Sequence, residues 1–407
     1  MKIRLVYCCL LVLFMLCGAV VSAQDAPPLI IGDLRAALDA IDDAAPASQQ
    51  AMVDDLWDAL IAAGRVPYVD YNRVMFMYRG EAEVVDWRGD FTNWEHVPEL
   101  LGRQIGGTDL WVAETALPVN ARIEYKIVLD DNAWILDPAN PAQAASGFGP
   151  NSELRMPYFA TTDVSADREG IANGVTSDLL RFDSAALGYT VGYWVYTPAG
   201  YDALDDLPVV YVLDGNDFGD PGMGRIVPVL DSLIADGRIV PVIAVLISAR
   251  DPDVPANNRR EDEFLGNREY FKFVAEELVP EIDAAYDSSP LKQNRAIVGT
   301  SYGGLASAYL GVLYPDVFDM VAMYSPALVL QDVFDTYEAA EVLPARYFIG
   351  TGYPGWDNFV PQDALDFIMA QGAQLMFIQS EEGHSWGMWR AMLDEMLIYF
   401  FGRRLSE

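Results

Sequence analysis

The sequence predicts a mostly parallel α/β sheet with helices on both faces, preceded by a small all-β sandwich. Three observations carry this expectation. From Thr176 onward, short apolar runs alternate with helical spacings. Residues 66–158 instead show short strands at close intervals, separated by Gly, Asp and Asn turns. Between the strand-like run Asn294–Val298 and the helical stretch Leu305–Tyr314 stands Gly299-Thr300-Ser301-Tyr302-Gly303-Gly304, a sharp turn flanked by glycines.

The elements follow in order. Lys2 and Arg4, the apolar run Leu5–Val21 and the small residues Ser22 and Ala23 have the layout of a secretory signal peptide over residues 1–23. Residues 24–65 read as a helical segment. Ile31 to Ile41 has helical spacing, and Ser48 is placed to cap a second helix running to Ala63. Val74–Tyr78, Ala82–Trp87, Asp109–Ala113 and Ala121–Val128 are the expected sandwich strands, and residues 159–175 a connector. In residues 176–407, strands are expected at Tyr189–Thr197, Leu207–Leu213, Val240–Ile247, Met320–Tyr324, Arg346–Gly350 and Gln374–Ile378. Helices are expected at Ile226–Ile234 and Asn267–Tyr286.

Composition narrows the chemistry. The 407 residues suffice for two or three domains. Cys8, Cys9 and Cys17 all lie in the expected signal segment, so the mature chain has no disulfide, thiolate nucleophile or cysteine-bound metal. Export without disulfides fits a bacterial route, to the periplasm or the medium. Removing Lys2 and Arg4 takes the net charge from −34 to −36. That field disfavours nucleic acid and anionic membrane surfaces as partners.

Ser301 is the candidate nucleophile, because G-x-S-x-G between a strand and a helix lifts the serine hydroxyl above the end of a sheet. The chain has two histidines. His96 lies upstream in the β region. His384 follows a strand and precedes the C-terminal helix, as the order nucleophile, acid, histidine requires. The acid belongs after Arg346–Gly350. Asp357 is the first carboxylate there, while Asp363 and Asp366 read as the start of a helix.

Around these positions the chain resembles the esterase family of α/β-hydrolases that includes enterochelin esterases and the feruloyl and acetyl xylan esterases of carbohydrate esterase family 1. The matching stretches are Val209–Gly215, Arg260 with Glu263-Phe264, Phe273–Pro280, Arg295–Gly304 and Gly383–Trp386. The upstream β region is similar to early-set, immunoglobulin-like modules through Trp87–Trp94, Tyr125-Lys126, Asp137–Pro141 and Phe148–Ser152.

The resemblance implies a serine esterase acting on small-molecule or polysaccharide esters of carbohydrate or phenolic type, with no cofactor or metal, and the signal-like segment adds export. Siderophore-ester hydrolysis and a non-catalytic carbohydrate-binding role are the alternatives. Ser301 attacks, His384 takes its proton and Asp357 orients the imidazole. The oxyanion donors are the N–H of Tyr302 and one from Gly215 or Asn216. Trp386, Trp389, Tyr302, Tyr353 and Trp356 form an aromatic wall or pack as core. Arg259 and Arg260 reach substrate or pair with Glu261 or Glu263. Trp87, Trp94 and Trp111 are the candidates for sugar stacking on the sandwich, which otherwise shapes the mouth of the site. The number of subunits stays open.

Overall fold

A computed structural model describes residues 31–160, 164–330, 333–358 and 360–403. The expected signal segment, residues 1–23, lies outside them. Two helices, Ile31–Asp42 and Pro46–Ala62, come first. Leu34, Leu38 and Ile41 recur at helical spacing and are buried. The second helix does not start at Ser48. Pro46 opens it, because a first-turn residue needs no N–H partner. The Ser48 hydroxyl donates back to the Ala45 carbonyl at 2.8 Å.

The helices pack on one face of a four-stranded antiparallel sheet. Its order is Tyr68–Asp70, Arg73–Arg79, Leu110–Ala116, Arg103–Gln104. Along Arg73–Arg79 the side chains alternate. Met75 and Met77 meet the helices, whereas Val74 and Phe76 meet a second sheet. That sheet runs Val85–Gly89, Arg122–Leu129, Asn151–Arg155, Gln143–Ala144, with Ala133–Ile135 paired to the second of these. Trp87, Ile123, Tyr125 and Ile127 come from it, and Trp111 joins from the first sheet. Two sheets sharing one apolar layer make a sandwich. Trp87 and Trp111 are therefore core residues, 0% and 7% exposed, and are not surface stacking platforms as the sequence allowed.

The larger sheet has nine strands. Thr190–Thr197 is antiparallel to Ile243–Ile247. From there every pairing is parallel, through Val209–Val212, Arg295–Thr300, Met320–Tyr324, Arg346–Thr351 and Gln374–Gln379. The central strands are buried along their whole length, as a sheet covered on both faces requires. Val209 and Tyr211 enter one apolar layer, and Val210 and Val212 the other.

The expected helix over Asn267–Tyr286 is continuous but not uniform. Asn267 caps it by accepting from the N–H groups of Glu269 and Tyr270 at 3.1 and 3.2 Å. It widens into a π-helical turn over Phe273–Leu278 before Val279–Ala285. Pro280 brings no N–H to the Glu276 carbonyl, and its ring crowds it, so the turn opens just ahead of the proline. Ser301, Ser325, Asp357 and His384 each follow one of four successive parallel strands. All four therefore gather at the carboxyl edge of the sheet.

Candidate active site

Ser301 sits at φ 56° and ψ −113°, outside the regions a side chain prefers. Such a residue costs about 1–3 kcal/mol unless its surroundings hold it. Here its N–H donates to the Tyr324 carbonyl at 2.8 Å, and its own carbonyl accepts from Leu305 and Ala327 at 3.0 and 3.1 Å. A Cβ on Gly299 would lie 2.3 Å from the Gly303 carbonyl, so the strand and the following helix meet backbone to backbone. Ser301 and His384 line one cavity of about 510 Å³, together with Tyr302, Arg260, Trp386 and Trp389.

His384 Nδ1 lies 2.6 Å from Asp357 Oδ1. The other carboxylate oxygen, Oδ2, accepts from the Ser325 hydroxyl at 2.6 Å, the Thr351 hydroxyl at 3.0 Å and the Gly352 N–H at 2.6 Å. Burial works against ionising Asp357. The hydrogen bond and charge of His384, with the Ser325 and Gly352 donors, outweigh burial and hold the carboxyl below the usual carboxylate range. An ionised Asp357 keeps the proton on Nδ1 and leaves Nε2 as an acceptor. The Trp389 ring stands edge-on to the imidazole, centroids 4.9 Å apart. Its Nε1 donates to Ser325 at 2.8 Å, so one hydrogen-bonded chain runs Trp389, Ser325, Asp357, His384.

Sequence reasoning missed Ser325. The available signal was its position directly after Met320–Tyr324, with Pro326 behind it, where a parallel strand delivers residues to a ligand crevice.

Arg260 does not pair with Glu261 or Glu263. Its Nε donates to Asp214 at 2.8 Å and its outer nitrogen to the Thr300 carbonyl at 2.8 Å, which ties the loop after Val209–Val212 to the strand before Ser301. The guanidinium also lies over the Tyr302 ring at 5.1 Å. Arg259 instead bonds Asp251 and the Thr190 carbonyl. Glu263 accepts from the Tyr189 hydroxyl.

Gly215 opens the short helix Gly215–Gly219 pressed on the neighbouring strand. A Cβ there would meet the Leu246 carbonyl carbon at 2.2 Å. The Asn216 amide is engaged by Asp217. Asp217 itself reaches the Ser301 cavity, and burial first, then the Asp214 charge, push its carboxyl up to about 6. Tyr302 is the first residue of its helix, so its N–H has no intrahelical acceptor.

The aromatic candidates divide. Trp386 is 6% exposed and packs edge-on against Phe218, yet it contributes to the cavity wall. Trp356 lines a second cavity of about 610 Å³ that also reaches His384, and Tyr353 backs it, ring centroids 4.5 Å apart. The opposite wall comes from the sandwich. Trp94 and Trp134 stack at 6.5 Å, and Phe148 borders both cavities while 97% exposed. Trp134 and Phe148 were not singled out from sequence as binding residues. A three-residue strand, which holds Trp134, and a turn, which holds Phe148, are too short to show a periodicity that separates exposed aromatics from core. His96 bonds Asp86 beside Arg88 within the sandwich.

Residues 184–357 match the model of the family described as Putative esterase. An endo-1,4-beta-xylanase/feruloyl esterase of Xylanibacter ruminicola is 25% identical over 299 residues, covering 70% of this chain and 39% of the relative. The iron(III) enterobactin esterase of Escherichia coli K12 is 30% identical over 247 residues, covering 55% of this chain and 59% of the relative. The chain thus spans roughly two to three fifths of the length of these curated relatives.

Among solved structures, the ferric enterobactin esterase of Salmonella typhimurium superposes with a TM-score of 0.64 at 22% identity, covering 82% of this chain and 95% of its own. The enterobactin esterase of Shigella flexneri gives 0.63 at 23% identity, covering 81% and 92%. At that identity the likeness is one of fold.

Proposed function

We propose, from the match of residues 184–357 to the esterase family model, that the chain is a serine hydrolase of carboxylic esters, with Ser301 as nucleophile, His384 as base and Asp357 as the group that orients the base. The observation that carries this reading is the 2.6 Å bond from His384 Nδ1 to a buried Asp357, beside a cavity that a strained Ser301 also lines. Nε2 then takes the Ser301 proton as the hydroxyl attacks the ester carbonyl. The alcohol leaves with that proton, and water releases the acid from the acyl-enzyme. The oxyanion is met by the Tyr302 N–H and by one from the Gly215–Asn216 turn. Each such donor is worth about 3 kcal/mol in the transition state.

The substrate reading is an ester of a carbohydrate or phenolic compound. Trp94, Trp134, Phe148 and Trp356 offer planar apolar faces next to the imidazole, suited to a sugar or aryl ring. Siderophore-ester hydrolysis is the second reading. Arg250 and Arg260 line the Ser301 cavity and Lys126 the adjoining one, cationic contacts for an anionic substrate that stand among the carboxylates Asp217, Glu261 and Glu124. The layout of residues 1–23 supports export.

The test is hydrolysis of p-nitrophenyl acetate, methyl ferulate, acetylated xylan and ferric enterobactin by the purified protein and by Ser301→Ala. Turnover of the feruloyl or acetyl sugar esters that vanishes in Ser301→Ala supports the first substrate reading. Preference for ferric enterobactin selects the second. Absence of turnover on all four substrates refutes the hydrolase reading.

A further inference from the structure

We propose that Arg122 is the positioning residue for His384, so that the β-sandwich belongs to the catalytic apparatus. The inference rests on the esterase reading above. Arg122 begins a sandwich strand and is 3% exposed. Its backbone N–H donates to the Glu381 carbonyl at 3.1 Å. One outer nitrogen of its guanidinium reaches Glu382 at 3.3 Å and the Ser385 hydroxyl at 3.1 Å. Those three partners bracket His384 in the chain. The rest of the fork is fixed from the sandwich side, Nε to Glu153 at 2.7 Å and the other outer nitrogen to Glu124 at 2.9 Å.

Two glycines record how closely the histidine loop is pressed onto this anchor. A Cβ on Gly383 would lie 2.0 Å from the Asp90 carboxyl carbon, and one on Gly387 would lie 2.3 Å from the Arg122 guanidinium carbon. On its far side the loop is tied to the loop bearing Asp357, because Tyr353 N–H donates to the Glu382 carbonyl at 2.7 Å. The imidazole is therefore set between the acid that orients it and an arginine from another part of the chain.

A buried cluster of one guanidinium and three carboxylates gives little stability over an apolar packing of the same shape. What such a cluster can contribute instead is a defined geometry, the role assigned to it here. Only a planar, forked cation can serve Glu124, Glu153 and the histidine loop at once. A lysine ammonium presents a point charge on a flexible stem.

The experiment uses the full chain, with Arg122→Met, Arg122→Lys, Glu382→Gln and, as control, Ile127→Ala, which loosens the same sandwich from its core without touching the loop. Each is given p-nitrophenyl acetate and a fluorophosphonate that labels Ser301, and melting is followed in parallel. Misplacing the base should lower kcat and the labelling rate constant together by about ten- to a hundred-fold in Arg122→Met, with KM within about two-fold and a full equivalent of label taken up. Arg122→Lys and Glu382→Gln should fall in between, and amide exchange over residues 381–389 should speed up in both. Ile127→Ala should label at the wild-type rate constant below its melting temperature.

The inference is overturned if Arg122→Met labels as fast as wild type, or if Ile127→Ala loses as much rate at the same loss of melting temperature. Should Arg122→Met not fold, unchanged labelling and exchange in Glu382→Gln and Arg122→Lys overturn it equally. If wild type takes no label at Ser301, the esterase reading itself falls and this inference with it. A labelled wild type matched by its Arg122 variants removes the inference alone.

Discussion

Asp357→Asn separates an orienting carboxylate from a merely buried one. In the wild type Oδ2 accepts from three donors, the Ser325 and Thr351 hydroxyls and the Gly352 N–H. An asparagine must put its carbonyl oxygen there, since an amide NH₂ in that place would face three donors with no acceptor. The amide nitrogen then takes the Oδ1 position, 2.6 Å from His384 Nδ1. It donates to Nδ1 and drives the ring proton to Nε2, the atom that on the proposed mechanism takes the Ser301 proton. The charge that would stabilise the imidazolium is lost at the same time. Together these cost about three to four powers of ten in kcat, on the order of 4–5 kcal/mol.

Folding should suffer less. Oδ1 also accepts from the Asn358 N–H at 2.7 Å, and leaving that donor facing an NH₂ costs about 1–3 kcal/mol. The assay is kcat on p-nitrophenyl acetate beside a thermal melt. Turnover within about ten-fold of wild type, with the fold intact, would show that Asp357 does not set the tautomer.

Three further outcomes are expected. Ser325→Ala removes one donor to Asp357 and the acceptor of Trp389 Nε1, and should lower kcat about ten-fold with KM unchanged, at a cost of about 1–3 kcal/mol in stability; an unchanged kcat would make Ser325 purely structural. Phe148→Ala, at a 97% exposed position, should leave melting and p-nitrophenyl acetate turnover unchanged but raise KM for feruloyl or sugar esters about three- to ten-fold; equal effects on both substrates would remove the ring-contact role. Glu263 is pushed up to about 8 chiefly by burial, against the pull of Tyr189 and Arg259. The folded chain therefore holds a proton that the unfolded chain releases, and this stability is present below the unfolded value and lost as pH rises toward 8. Glu263→Gln should flatten the fall in stability between about pH 5 and about pH 8 by on the order of 3 kcal/mol, read by urea melts at both pH values; an unchanged slope would assign the titration elsewhere.

The sheet was legible because its strands are apolar runs of fixed length. Met320–Tyr324 and the strand before Ser301 needed only that pattern and a Gly-flanked turn. The two helices at the start were legible in Leu34, Leu38 and Ile41, but Ser48 misled as a cap because Pro46 is the stronger start signal. The sandwich was read from four strands, while Tyr68–Asp70, Arg103–Gln104 and Gln143–Ala144 are too short to show an alternation. Around Ser301, turn chemistry and the order of residues along the chain singled out His384 and Asp357. The partners of Arg260 and Arg122 were not legible in this way. Arg260 bonds a carboxylate 46 residues away and Arg122 one 260 residues away, separations that no local pattern encodes. Tryptophans gave the weakest signal, since Trp87, on the strand Val85–Gly89, is core while Trp94, in the turn just after that strand, borders a cavity, and residue type alone does not separate them.

The most direct measurement is peptide mapping by mass spectrometry after the wild-type chain has been treated with a fluorophosphonate. The expected result is one adduct per chain, on the peptide carrying Ser301, with ester turnover lost in step, and no adduct in Ser301→Ala. Turnover that persists with Ser301 fully modified, or an adduct at another residue, would contradict the assignment of Ser301 as nucleophile.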